Sequence, residues 1–434
     1  MNLGKTCVNV GGGWFFALFV LSVVFFFAQH MSGLSWDFTV YSLNARYIFG
    51  GGNYFEWERA PLVSSMIFAF SFLGWRGAEY AYMLFVCVLF AFACDRFSKR
   101  YEVNALVFYT VMLNSFVVTF GFLAGTELLT LSLLMLAITY LRSGCSGLFI
   151  GFAVAARYLA APYLLLLLFK RDTRQIILAL TVVVLLFTPW FAYNYLMKGD
   201  PLTSIKSSYL MNIASRESGF KGPTTSDLAK NLLILFTIAV FGALLSVKRR
   251  FREVDAVMFV FAFVTVASFW MTHVRELRYL FNLALPVGFY CAQAIEGITC
   301  GRRERIILAV ILLSLMNYTA TSAMISLVNP AGLYEGVNLV GGGCMVMSNA
   351  WPYLNYLGVT AKPHPDGEYL DYLVGEGNRV VLFKSGDIPN PDYLFDAELR
   401  EGVPVMYEDD NILVLGNEFF CAKKEVVDRA YSEY

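Results

Sequence analysis

The chain has 434 residues and balances 33 Lys and Arg against 33 Asp and Glu, a formal net charge of zero. Hydrophobic residues make up 58% and charged residues 15%, where soluble domains run at about 45–50% and about 25%. This composition carries no basic footprint for nucleic acid, and it excludes a soluble domain that alternates apolar and polar faces.

Lys5 and the apolar run from Trp14 to Ala28 have the outline of a signal peptide. No small-residue cleavage site follows, because the chain continues Gln29-His30-Met31-Ser32, so the run reads as an uncleaved first membrane helix. Further runs long enough to cross a bilayer lie at 78–94, 104–122, 127–141, 146–168, 175–193, 229–247, 255–272, 278–298 and 305–327.

Short loops rich in Lys and Arg remain cytoplasmic. Here those loops are 95–100, Arg142, 170–174, 248–252 and 302–305. Placing them and the N-terminus inside has two consequences. The short apolar stretch from Pro61 to Trp75 cannot span, so 31–77 becomes an external loop with membrane-parallel helices. The segment 146–168 has basic residues at both ends, so it reads as a hairpin with Arg157 at its outer tip, the alternative being one long tilted helix that breaks the charge rule locally. Legs of about 11 residues reach only about 17 Å as helix, so they must pack among other helices.

The expected fold is therefore an all-α polytopic membrane bundle of about 11 transmembrane helices over residues 1–329, with the N-terminus cytoplasmic. Beyond it, 330–434 holds short apolar runs at 344–347, 380–383 and 412–415, separated by Gly, Pro and Asp or Asn, and a helical stretch from Glu368 to Val374. That pattern reads as a small extracytoplasmic α/β domain. His364 in it reads as a surface residue. Cys344 and Cys421 are placed to pair if the compartment is oxidising; the other cysteines near membrane segments read as small core residues.

Charges near a bilayer that do not anchor cytoplasmic loops invite a functional reading. On the external side they include Asp37, Arg46, Glu56, Glu58 and Arg59 in the first loop, then Glu127 and Arg157. Later loops add Lys198, Asp200, Lys206 and a cluster of His273, Arg275, Glu276 and Arg278. Arginines suit the phosphate of a lipid headgroup, and a carboxylate suits a general base for an attacking hydroxyl. No Gly-rich strand-to-helix turn cradles a nucleotide, which favours a lipid-phosphate donor over a nucleotide sugar.

Several short motifs stand in a telling order: Trp36-Asp37, Tyr41, Ala45-Arg46-Tyr47 and Glu58-Arg59-Ala60-Pro61-Leu62 in the first loop. Pro189-Trp190, Asn194 and Gly199-Asp200-Pro201 end one span, and Arg278-Tyr279-Leu280 with Pro286 opens another. Together, over roughly 13–327, they resemble the GT-C glycosyltransferases, among them the protein O-mannosyltransferases and the aminoarabinose transferases. Two departures stand out: Arg-Ala-Pro-Leu replaces an Arg/His-Pro-Pro-Leu element, and Asp37 is single where many members have Asp-Glu.

The resemblance implies a polyprenyl- or dolichyl-phosphate sugar donor, inverting transfer to a glycan, lipid or protein acceptor, and Asp37 as the catalytic base. It implies substrate-binding roles for Glu127, Arg157 and Arg278. Glu58, Arg59, Asn194, Arg275 and Tyr279 complete the candidate set. No cofactor is read from the sequence, and no carboxylate cluster calls for a metal. The rival readings are a transporter or flippase of lipid-linked glycans, which would show internal repeats, and a noncatalytic assembly subunit.

Overall fold

The computed structural model describes residues 12–52, 54–170, 172–214, 236–244, 252–272, 277–299, 303–321, 332–333, 344–385 and 388–417. It is mostly helical with one small sheet. Its contacts divide it into two units: 1–29, 58–216 and 223–325 form the first, and 30–57, 217–222 and 326–434 form the second.

In the first unit, four helices among the described residues are long and apolar enough to cross a bilayer: Gly13–Ser32, Trp75–Tyr101, Thr173–Lys198 and Glu253–Met271. This is an integral membrane protein. The expected total of about eleven segments counted shorter helices with these, and parts of the expected spans 229–247 and 305–327 lie outside the described residues. The expected span 104–122 is two helices, Ala105–Met112 and Ser115–Phe120. Asn104 and Asn114 each cap one, their side-chain oxygens accepting from Leu106 and Val107, and from Val117, which satisfies N–H groups that a helix start leaves open. The stretch from Pro61 is not among the helices long enough to cross. It forms a nine-residue helix, Pro61–Ala69, with a 3-10 turn after it, and nine residues rise only about 14 Å.

The expected hairpin is present. Helix Cys145–Ala156 ends at Arg157, whose extended backbone (φ −156°, ψ 117°) breaks it. A 3-10 helix, Tyr158–Phe169, follows; at about 2 Å per residue it reaches further than α-helix would. Lys170 donates to the Ser143 carbonyl at 2.7 Å, so the two feet of the hairpin meet while Arg157 occupies the turn. The first leg lies tight on helix Thr173–Lys198. A Cβ at Gly147 would stand 2.6 Å from the Ala179 backbone, and one at Gly151 2.7 Å from Leu186. Small residues four apart allow this approach between membrane helices.

The second unit is built on a five-stranded sheet of order β2-β1-β3-β5-β4, with β1 Val346–Ser348, β2 Ala361–Pro363, β3 Arg379–Phe383, β4 Val405–Glu408 and β5 Ile412–Leu415. β1 pairs in parallel with β2 and β3; β5 pairs antiparallel with β3 and β4. Both faces are covered. Val381, Phe383, Ile412 and Val414 belong to one apolar core and Val380, Leu382, Leu413 and Leu415 to the other, which explains why β3 and β5 read as continuous apolar runs. Helix Gly367–Gly375 brackets the expected helical stretch.

Residues 30–57, read from sequence as part of the first loop, pack in this second unit. Leu34 enters the core with Val346 and Tyr353. Helix Trp36–Gly50 lies against the short helix Trp351–Tyr356, burying Val40, Leu43 and Tyr54 there. Trp36 meets Trp351 edge to face at 4.6 Å and Tyr353 at 5.6 Å. The Trp351 indole N–H donates to the Tyr54 hydroxyl (3.0 Å), which in turn donates to Glu56. Asn44 clasps the Glu56 backbone through both its amide groups, each at 2.9 Å. Arg46 donates to the Tyr356 carbonyl at 3.1 Å and stacks over its ring.

His364 is half-buried between Trp351 and Tyr393, not on open surface as expected. Burial holds its imidazole below the ordinary value, so it is neutral at pH 7. Cys344 is disulfide-bonded; Cys421 lies outside the described residues.

Candidate functional site

The site in the membrane unit starts from a buried acid. After helix Ser115–Phe120 the chain turns through Gly125, whose φ of +77° suits glycine, and the Gly125 carbonyl accepts from the Tyr82 hydroxyl. That turn delivers Glu127 to the first turn of helix Glu127–Thr139, 1% exposed. There the helix dipole favours a carboxylate. The Thr126 amide and hydroxyl both donate to Glu127 Oε2, at 3.3 and 3.2 Å. Oε1 faces Arg157 Nη1 at 3.0 Å.

The pair joins the start of one helix to the tip of the hairpin, 30 residues later in sequence. A carboxylate with no exposure needs such a partner. Arg157 keeps 18% of its side chain exposed, and it faces a cleft that it lines with Thr130, Tyr163, Thr265, Arg278 and Tyr279. Glu127 is therefore the orienter, and Arg157 is the group presented.

Arg278 and Tyr279 come from a 3-10 helix, Leu277–Leu283. Both guanidiniums approach the Tyr279 ring, with Arg157 5.3 Å and Arg278 5.7 Å from its centroid. Cation–π attraction lowers the cost of setting two positive groups around one cleft. The Tyr279 hydroxyl donates to Asn212 at 3.3 Å.

A hydrogen-bond chain steadies the hairpin tip. The Trp190 indole N–H donates to the Tyr158 hydroxyl at 2.8 Å. That hydroxyl meets Ser204 Oγ at 2.6 Å, and Ser204 reaches the Arg59 carbonyl at 3.4 Å. With the indole as donor only, one direction runs the whole length, from Trp190 to Arg59. Tyr158→Phe removes the central link and strands its partners, with an expected cost of roughly 1–3 kcal/mol. The check is the melting temperature of the purified protein; Ser204→Ala, which breaks the links to both Tyr158 and Arg59, is expected to lower it as well.

The remaining candidates divide by unit. Glu58 and Arg59 are half-buried in the turn before Pro61, and the Arg59 backbone is held as described. Asn194 is fully buried, and its amide donates to the Pro201 carbonyl at 3.1 Å, folding the Gly199-Asp200-Pro201 turn back on the helix end. Asp37 belongs to the second unit, in the first turn of helix Trp36–Gly50 and half-buried. Arg275 lies outside the described residues.

Sequence reading did not single out Thr130, Tyr163 or Thr265. Only Thr130 left a trace: it stands three residues after Glu127, on the same helix face.

Comparison with known proteins now has a geometry to rest on. No family model matches the chain, and no curated protein matches it. Solved structures do. ArnT from Cupriavidus metallidurans bound to undecaprenyl phosphate superposes with a TM-score of 0.62 at 12% identity, covering 93% of this chain and 98% of that one. The same protein in the apo state gives 0.66 at 11% identity, covering 93% and 97%. The chain shares the fold of this protein. The likeness runs through both the membrane bundle and the C-terminal sheet, since it leaves only a small fraction of either chain unmatched.

Proposed function

We propose that this chain transfers a sugar from a polyprenyl-phosphate carrier to a hydroxyl acceptor on the extracytoplasmic face of the membrane. The observation that carries the reading is the cleft of the membrane unit, lined by two guanidiniums, with Arg157 locked in place by a buried carboxylate. The solved structure that shares the fold is bound to a polyprenyl phosphate.

The chemistry suits that charge. A sugar phosphodiester carries about one negative charge, and the phosphomonoester that departs carries about two at neutral pH. Charge therefore grows on the phosphate as the sugar–oxygen bond breaks. Fixed guanidiniums bind the transition state more tightly than the bound donor, which lowers the barrier. The acceptor oxygen bonds to the anomeric carbon from the opposite side, so the product is inverted. Its proton passes to a carboxylate, and we assign that role to Asp37 on its chemistry and its place in the sequence motif.

The test is incubation of the purified protein with polyprenyl-phosphate sugars of several kinds and a range of acceptors, with products analysed for a new glycosidic bond. The expected result is transfer with inverted anomeric configuration, at a rate that falls when Arg157 or Arg278 is replaced by Met. Lipid translocation without transfer would instead identify a flippase.

A further inference from the structure

We infer that the Thr130 hydroxyl is a third phosphate-binding group of the cleft, donating to a phosphoryl oxygen held by Arg157 and Arg278. The inference rests on the reading of the cleft as a lipid-phosphate site and adds a residue that the reading does not supply.

The argument begins with what hydroxyls do on membrane helices. A buried Ser or Thr ordinarily turns its hydrogen to the carbonyl four residues back. Thr110 does so at 2.8 Å, Ser132 at 2.6 Å, Thr139 at 2.8 Å and Thr265 at 2.8 Å. Thr130 sits in the same helix as Ser132 and Thr139, is 2% exposed, and its Oγ1 has no partner among the described residues. Ser98 and Ser115 also have buried hydroxyls without a partner there, but neither lines the cleft. A buried hydroxyl without a partner is unfavourable, and Thr130 does not make the bond to the carbonyl four residues back that its neighbours make.

Four neighbouring hydroxyls of the cleft, those of Tyr163, Thr265, Thr272 and Tyr279, are committed elsewhere. Thr265 gives its hydrogen to the Phe261 carbonyl, so the 2.6 Å contact between Tyr163 and Thr265 has Tyr163 as donor. Thr272 donates to the Phe269 carbonyl, and Tyr279 to Asn212. Thr130 thus brings an uncommitted donor to a cleft whose other polar lining includes two cations. What completes such a set is an oxygen anion, which accepts from all three.

The experiment compares wild type, Thr130→Val and Thr130→Ser for binding of a short-chain polyprenyl phosphate and of the uncharged polyprenol. It adds the melting temperature of each variant without lipid. Val keeps the shape and loses the donor. The expected result is a ten- to a hundredfold weaker Kd of Thr130→Val for the polyprenyl phosphate, as loss of a hydrogen bond to a charged group implies. Thr130→Ser stays near wild type, and polyprenol binding does not change. Inorganic phosphate, competing for the lipid phosphate, is expected to lose potency by a similar factor in Thr130→Val. Without lipid, Thr130→Val melts at or above the wild-type temperature, which a structural hydroxyl would not allow. Equal polyprenyl-phosphate affinity in wild type and Thr130→Val overturns the inference and leaves the reading of the cleft standing. Absence of any polyprenyl-phosphate binding by wild type overturns the reading itself, and the inference with it.

Discussion

Glu127→Ala is expected to remove donor binding and about 3–5 kcal/mol of stability together, because it leaves the Arg157 guanidinium without its buried counter-charge. The carboxylate has no exposed side-chain surface and meets Arg157 at 3.0 Å. Its other oxygen receives two bonds from Thr126, so those donors lose their acceptor as well. Stability and function can be separated. The double variant Glu127→Leu with Arg157→Met replaces the pair by apolar groups, an exchange that is often neutral or stabilising. It is expected to recover most of the melting temperature and none of the affinity for polyprenyl phosphate. If the double variant bound the lipid phosphate as wild type does, Arg157 would have no part in holding it.

Asp37→Asn is expected to lower turnover by roughly 10²- to 10⁴-fold, the range a general base contributes, with donor affinity unchanged. The substitution preserves size and leaves the contacts of Trp36 with Trp351 and Tyr353 in place. It also weakens a favourable charge–dipole interaction at the helix start, of about 0.3–1 kcal/mol, so the melting temperature of the variant is measured beside its turnover. Single-turnover rates and lipid binding, measured on the same preparation, make the comparison. Wild-type turnover by the Asn variant would dismiss Asp37 as the proton acceptor and leave the phosphate cleft untouched.

The parts legible in the sequence are those with a local cause. The hairpin follows from basic residues at both of its ends, and the contact between Lys170 and Ser143 shows those ends together. Strands β3 and β5 announce themselves because both of their faces are buried. Strand β2 escapes notice because it is three residues long and ends in Pro363, and β4 because its residues are largely exposed. The break at Asn114 is invisible to hydropathy, since a capping side chain hardly changes the mean over a window. The arginines were legible as costly charges beside a bilayer. The pairing of Glu127 with Arg157 was not, because it joins helix ends that no periodicity relates, and Thr130 could be recognised only once its neighbours' hydrogens had been assigned.

The clasp between helix Trp36–Gly50 and helix Trp351–Tyr356 joins segments about three hundred residues apart. On a ribosome the first of these emerges early and the second very late. The Asp37 helix therefore waits, its apolar face without its native cover, while most of the membrane bundle is threaded into the bilayer. A chain interrupted before Trp351 would retain its hydrophobic helices and still lack the surface on which that acid-bearing helix settles. Synthesis of the segment that carries Trp351 is thus the step that completes the packing of the helix bearing Asp37.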